Sequence, residues 1–324
     1  MAAAPKPFRF GIGAGLLGDP AKLLGLAQRA EALGYSTFGM ADHFMLPFAP
    51  LVALQAIAGA TTTIRLSQIV LDQDFRHPAV LAKELATLDV LSGGRLQVGI
   101  GAGWMREEYE QAGIPFAPAS VRIERLEEVA IVVKGLFGDG PFSFTGEHVT
   151  INQLVGTPRP LQRPRPPIMI GGGGRKLLGV AGRQADIVQI MPSIPKGVVT
   201  TSPYEFTDEA YQEKVACIRD AAGARIDEVE LGAQFLHVSV TDDPQGAYDA
   251  FMERFMTLQR SVGGELTITK DTFFSSPVVA IGTLDEVCDK LEATRSRLGI
   301  SYWSSAVGAH PAELGPVIER LAGR

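Results

Sequence analysis

The chain has 324 residues, of which 46% are hydrophobic and 20% charged, with a formal net charge of −6. That length exceeds the commonest domain size but suits an α/β barrel, which runs to about 250 residues or more as one domain. A net acidic chain without a basic stripe excludes a nucleic-acid surface, since nothing in it would neutralise phosphates. No run reaches the roughly 18 apolar residues of a membrane span. The opening "MAAAPKPFRF" lacks the apolar core of a secretion signal. Cys217 and Cys288 have no metal-like spacing, which argues against a disulfide framework or a zinc cluster. A cytoplasmic protein with neither nucleic-acid nor membrane partners is expected.

The elements alternate strand and helix. Phe8–Gly13 reads as a short apolar strand, and Asp19-Pro20 opens an amphipathic helix through Ala32. "YSTFGMADHF" is a second strand that ends in polar residues, followed by the helix "APLVALQAIAGATT". Ile64–Leu71 is the third strand. The next helix carries Pro78 near its start and Gly93-Gly94 at its stop, the usual asymmetry of helix ends. "RLQVGIGAGW" is the fourth strand, and Ser120 is expected to cap the helix after it. "FSFTGEHVTI" alternates like a hairpin, and a proline-rich stretch leads into the fifth strand, Ile168–Ile170. Helix "RKLLGVAGRQ" and strand Asp186–Ile190 follow. The loop Met191–Thr207 has no periodicity, and so long a loop within a domain is usually functional or disordered. Helix Asp208–Ala222, strand Leu231–Val240, helix Pro244–Arg260, a loop through Pro277, helix Thr283–Leu298, strand "ISYWSSAV" and a terminal helix complete the chain.

About eight β/α units with uniformly apolar strands favour a closed (β/α)8 TIM barrel, with insertions in its loops, over a doubly wound sheet. No domain boundary is evident, so residues 1–324 read as one domain. In such a barrel function sits just past the strand ends. After strand five come Gly171, Gly172, Gly173 and Gly174, then Arg175 and Lys176. Glycines there let backbone amides converge on an anion at a helix N-terminus. Cations in a first helical turn oppose the macrodipole unless an anion intervenes. The alternative is a tight turn whose glycines only permit close packing. After strand two stand Asp42 and His43, of which one should face the mouth and the other brace a loop. An imidazole there either carries a proton near neutral pH or is held by backbone. Asp72 and Asp74 read as caps or turn formers. Trp104 is a wall for a ring system or a core aromatic. Glu107 and Glu108 are an acid/base couple or a solvated helical turn.

These pieces resemble the bacterial luciferase-like flavin-dependent oxidoreductases, and within them the actinobacterial branch that uses the deazaflavin coenzyme F420. The matching stretches are "ADHF" (Ala41–Phe44), Asp74–Trp104, Pro166–Val188 and "IGTLDEVCDKLEATRSRLGISYW". The resemblance implies an enzyme in which His43 handles the proton that accompanies hydride transfer. It implies cofactor contacts from Asp42, Gly103 and Met191, and phosphate contacts from Gly171, Gly172, Gly173 and Gly174. It also implies that Ile69, Val70, Leu71 and Asp72 press their backbone on the ring, with a non-proline cis peptide at Ile69-Val70 or Val70-Leu71. The family's sugar-phosphate dehydrogenases carry a glutamate where this chain has Trp104. A small apolar organic substrate bounded by Phe44 and Trp104 is therefore implied, with a homodimer packed through early helices. An FMN-dependent monooxygenase using O₂ on the same barrel is the alternative. A barrel that binds flavin without catalysis is the other.

Overall fold

The structure is a computed structural model and describes residues 5–194, 202–262, 268–305 and 310–324. Among these, eight parallel strands follow chain order. They are β1 (Arg9–Gly13), β2 (Thr37–Met40), β3 (Arg65–Gln68), β4 (Leu96–Gly101), β5 (Ile168–Gly172), β6 (Ile187–Ile190), β7 (Glu230–Gln234) and β8 (Ile300–Ser304). β3 meets β4 through Leu66↔Leu96, and β8 returns to β1 through Tyr302↔Arg9, so the barrel closes and leaves no edge strand. No described helix is long and apolar enough to cross a membrane.

The two faces of the barrel wall differ. Outward residues such as Phe10, Phe38, Leu66, Val98, Ile168 and Val188 are buried beneath the helices. Inside, polar side chains pair with one another, while Gln68 Nε2 and Gln189 Oε1 take no partner among the described residues. The hydroxyls of Thr37 and Tyr302 lie 2.6 Å apart, Gln97 Nε2 donates to Ser67 Oγ at 3.2 Å, and Gln189 Nε2 donates to Ser304 Oγ at 2.9 Å. Near the opposite end Arg9 pairs with Glu230 at 2.6 Å and lies over the Tyr302 ring. A small apolar cluster of Met169, Ile187 and Tyr302, joined by Ile69 and Val70, fills the remainder.

The helices begin where local chemistry satisfies their free amides. Asp19 accepts from the amides of Ala21 and Lys22 to start helix Pro20–Ala32. Thr283 and Glu286 form a reciprocal capping box for Leu284–Leu298. Helices Pro78–Leu91, Arg175–Gln184 and Asp208–Ala222 and the antiparallel hairpin Pro141–Thr145/Thr150–Val155 agree with the sequence.

Several expectations fail. Ser120 is no cap: it lies inside helix Ala119–Phe137, whose N-cap is Pro118 with no side-chain bond. The third strand is interrupted after Gln68, and Leu71–Asp72 resumes as a separate two-residue strand on β4. The Ile69-Val70 peptide between them is cis. The expected strand Leu231–Val240 divides, because His237–Val240 leaves the barrel to pair with Val279–Gly282. Helix Lys270–Ser275 forms within the stretch read as loop. Residues 195–201 of the Met191–Thr207 loop lie outside the described residues, as do 263–267 and the Ala306-Val307 end of the last expected strand.

Gly99 tests the packing of the wall. A Cβ there would collide with the backbone carbonyl of Gln68, whereas one on Gly25, within helix Pro20–Ala32, would meet nothing within 4 Å. Gly99→Ala is expected to cost about 1–3 kcal/mol in urea unfolding. Gly25→Ala is expected to gain up to about 1 kcal/mol. Equal effects would contradict this packing.

Candidate active site

The C-terminal ends of β2, β3 and β4 converge on one mouth. Two successive side chains, Ile69 and Val70, enter the barrel there. Regular strand alternation does not allow this. They fit because their neighbours are glycines: a Cβ on Gly39 would strike Ile69, and one on Gly101 would strike Val70. Gly171 lies beside Val70 from β5, where a Cβ would come within 3.3 Å.

Past β2, Asp42 is buried and braces the loop. It takes Arg76 through Nη1 at 2.5 Å and Nη2 at 3.2 Å, and accepts the Asp72 amide at 3.2 Å. His43 is the residue facing the mouth, with 24% of its side chain exposed. Its Nδ1 lies 2.7 Å from Glu108 Oε2, and its ring meets Trp104 edge-on at 5.6 Å. Trp104 is partly exposed, unlike the fully buried Trp303. Phe44 is 59% exposed and leans on Phe75, from which a run of rings continues to Tyr109 and Phe116.

Past β3 and β4 the polar groups form a second knot. Asp72 accepts the Tyr109 hydroxyl at 2.6 Å and, as a turn former, the Asp74 amide at 2.9 Å. The same hydroxyl lies 3.0 Å from Asp74, whose other oxygen is paired with Arg125. Burial pushes the Asp72 carboxyl up to about 6, against the pull of Tyr109 and the Asp74 amide, with the Asp74 and Asp42 charges adding to the rise. Burial, then Asp72, raises the Tyr109 phenol, so it stays a donor. Gly103, in the left-handed region at φ 69°, is required here because a Cβ would collide with the Tyr109 hydroxyl and Asp72.

On the far side of the mouth β5 runs two residues longer than its apolar core, through Gly171 and Gly172. A Cβ on Gly173 would collide with the Met191 carbonyl and with the backbone of Pro192 and Ser193, so the glycine turn and the start of the β6 loop are in close contact. That loop start is held from behind: Lys214 Nζ donates to the Met191 carbonyl at 2.9 Å and to Glu205 at 2.6 Å, and Glu205 accepts the Ser193 amide at 2.8 Å. Gly174 caps helix Arg175–Gln184 without a side-chain bond. The first backbone bond into that helix is Leu178 N–H to the Gly174 carbonyl. No acceptor among the described residues takes the amides of Arg175, Lys176 or Leu177. Lys176 itself is paired with Glu124, so its charge is already answered within the chain.

The mouth thus gathers His43, Trp104 and Asp42 with Asp72 and the Ile69–Leu71 bulge, and separately the glycine turn with Met191. Sequence reasoning did not distinguish Glu108 from Glu107. Glu107 is exposed, whereas Glu108 is buried against His43. The adjacent Tyr109, an apolar ring beginning the buried face of helix Arg106–Ala112, was the available signal. Arg76, Arg125, Lys214 and Glu205 act through long-range pairs that no local pattern announces.

The family model for luciferase-like monooxygenases matches residues 6–301. The chain belongs to the luciferase-like monooxygenase family. It is 35% identical over 131 residues to an FMNH(2)-dependent dimethylsulfone monooxygenase of Pseudomonas putida, covering 40% of this chain and 36% of the relative. It is 33% identical over 176 residues to an F420-dependent glucose-6-phosphate dehydrogenase of Kineococcus radiotolerans, covering 52% and 51%. The chain therefore spans about a third to a half of the length of these curated relatives. The fold is also that of the coenzyme F420 dependent tetrahydromethanopterin reductase from Methanopyrus kandleri, with a TM-score of 0.78 and 20% identity over 97% of this chain and 99% of that one. The Pseudomonas putida relative is thus FMNH(2)-dependent, and the other two proteins are F420-dependent.

The raised carboxyl of Asp72 gives a signed expectation. Its folded value, about 6, lies above the ordinary 3.8, so the proton is held more tightly in the folded state. Its contribution to stability is therefore present below the ordinary value and lost as pH rises through about 6. Between pH 3.5 and 7 the unfolding free energy of the wild type should fall relative to Asp72→Asn by on the order of 2–3 kcal/mol. A difference that stays flat across that range in urea titrations would contradict the assignment.

Proposed function

We propose that the protein is a coenzyme F420-dependent oxidoreductase that moves a hydride between the deazaflavin and a small apolar carbonyl, alcohol or activated alkene. The observation that carries this reading is the presence, on one barrel mouth, of a fixed imidazole and a helix N-terminus whose first amides take no acceptor among the described residues. The residues suit an anionic cofactor tail. The amides of Arg175, Lys176 and Leu177 take no acceptor among the described residues, and a Cβ on Gly174 would come no nearer than 3.7 Å to Ser193 Oγ. Gly171, Gly172, Gly173 and Gly174 would hold the phosphate. Met191, Asp42, Gly103 and the backbone of Ile69, Val70, Leu71 and Asp72 would line the ring. The bound cofactor supplies hydride chemistry; the protein supplies position, dryness and a proton.

His43 is the proton carrier in this reading. Its Nε2 has no partner among the described residues, while Nδ1 is held by Glu108. An apolar substrate is supported by Leu16, Phe44 and Met45, all more than half exposed, together with Trp104. A shallow apolar pocket lined by Ala14, Leu17, Met40, Leu46, Phe48 and Ile69 adjoins the bulge. A homodimer is part of the proposal, with the exposed Val52 on helix Pro50–Ala60 as a candidate contact.

The second reading, an FMN-dependent monooxygenase, is favoured by the Pseudomonas putida relative. Fluorescence titration with F420 and with FMN, followed by turnover with and without oxygen, separates the two. The F420 reading expects F420 to bind more tightly and turnover to persist without O₂. His43→Ala should then slow hydride transfer at least about a hundredfold while leaving the cofactor Kd within a few-fold. Tighter binding of FMN with strict dependence on O₂ would overturn the F420 reading. A mutant rate within a few-fold of wild type would overturn the role of His43.

A further inference from the structure

Glu108 is buried, yet it has one partner. Its Oε2 lies 2.7 Å from His43 Nδ1, and its Oε1 is buried with no hydrogen-bond partner among the described residues. Leaving a carboxylate oxygen unsatisfied away from water is costly, and a glutamate serving only structure is normally bonded through both oxygens. An ionised carboxylate accepts hydrogen bonds and donates none. With Glu108 ionised, the hydrogen between the two groups would sit on His43 Nδ1. In the neutral ring that leaves Nε2 bare, and Nε2 is the nitrogen without a partner among the described residues. Trp104 stands edge-on to the ring at 5.6 Å and limits its rotation.

We propose that Glu108 is a positioning residue that fixes the tautomer of His43, so that Nε2 is the nitrogen that exchanges protons with substrate. The proposal rests on the reading of His43 as proton carrier. In alcohol oxidation the O–H bond breaks as C=O forms. The hydroxyl proton would go to Nε2, and a bound redox cofactor would supply the hydride acceptor. In carbonyl reduction Nε2 would return the same proton. One proton crosses Nε2 for each electron pair moved. Glu107, one residue earlier and exposed, has no such part.

The direct test is Glu108→Met, which keeps the side-chain length and removes the acceptor, with Glu108→Asp as the conservative comparison. The ring nitrogens of the full-length protein are followed by nitrogen NMR, with His43→Ala assigning the signal among the five histidines. The wild type is expected to carry its neutral-ring hydrogen on Nδ1. Glu108→Met should lose that preference, with Nε2–H becoming the major form. Its kcat should fall roughly a hundredfold with KM within about twofold. Its melting temperature should hold or rise, because a buried carboxylate has been removed. Glu108→Asp should restore the Nδ1–H form and part of kcat. An unchanged tautomer in Glu108→Met overturns the proposal, as does an unchanged kcat beside a lowered melting temperature. Absence of turnover in the wild type with either cofactor would sink the functional reading alone, since the NMR comparison still decides the role of Glu108.

Discussion

The site is organised by the need to give every buried carboxylate a partner. Asp42, Asp72, Asp74 and Glu108 lie close together around the ends of β2, β3 and β4, and such charges stay inside only when matched. Arg76 answers Asp42, Arg125 answers Asp74, the Tyr109 hydroxyl answers Asp72, and His43 answers Glu108. Two of these partnerships come from neighbouring residues on the short helix Arg106–Ala112. Glu108 reaches His43 past β2, and Tyr109 reaches Asp72 and Asp74 past β3. One turn of helix thereby contacts both the imidazole and the segment after the bulge.

Glycine supplies the space that this arrangement occupies. Gly39 and Gly101 admit Ile69 and Val70, and Gly103 admits the Tyr109–Asp72 contact. Gly173 allows the turn after β5 to pack on the β6 loop, which the buried Lys214–Glu205 pair secures. The glycines after β5 therefore do two things. Gly171 and Gly173 permit close packing, and past Gly174 the amides of Arg175, Lys176 and Leu177 take no acceptor among the described residues.

Much of this architecture was legible in the sequence because it rests on local rules. The helix Arg175–Gln184 follows from glycines before it and apolar spacing within it. Asp19 before Pro20 announces a helix start. His43 stands out as a titratable residue at a strand end. What stayed hidden depended on partners distant in the chain. Ile64–Leu71 reads as one strand, since nothing local shows that Gly39, Gly101 and Gly171 will accept two successive side chains. Glu107 and Glu108 have the same chemistry and differ only in which side of a helix turn meets His43. Ser120 is a good cap by composition, but the helix starts earlier, after Pro118, and leaves it in the first turn.

In the proposed function the protein part is a rigid proton carrier opposite an anion cradle. The measurement that tests this most directly is a crystal structure with F420 bound. The account predicts the phosphate on the amides of Arg175, Lys176 and Leu177, the ring against the backbone of Ile69–Leu71, and His43 Nε2 turned towards that ring. A phosphate bound elsewhere, or an imidazole turned away from the ring with Nε2 on a protein acceptor, would contradict it.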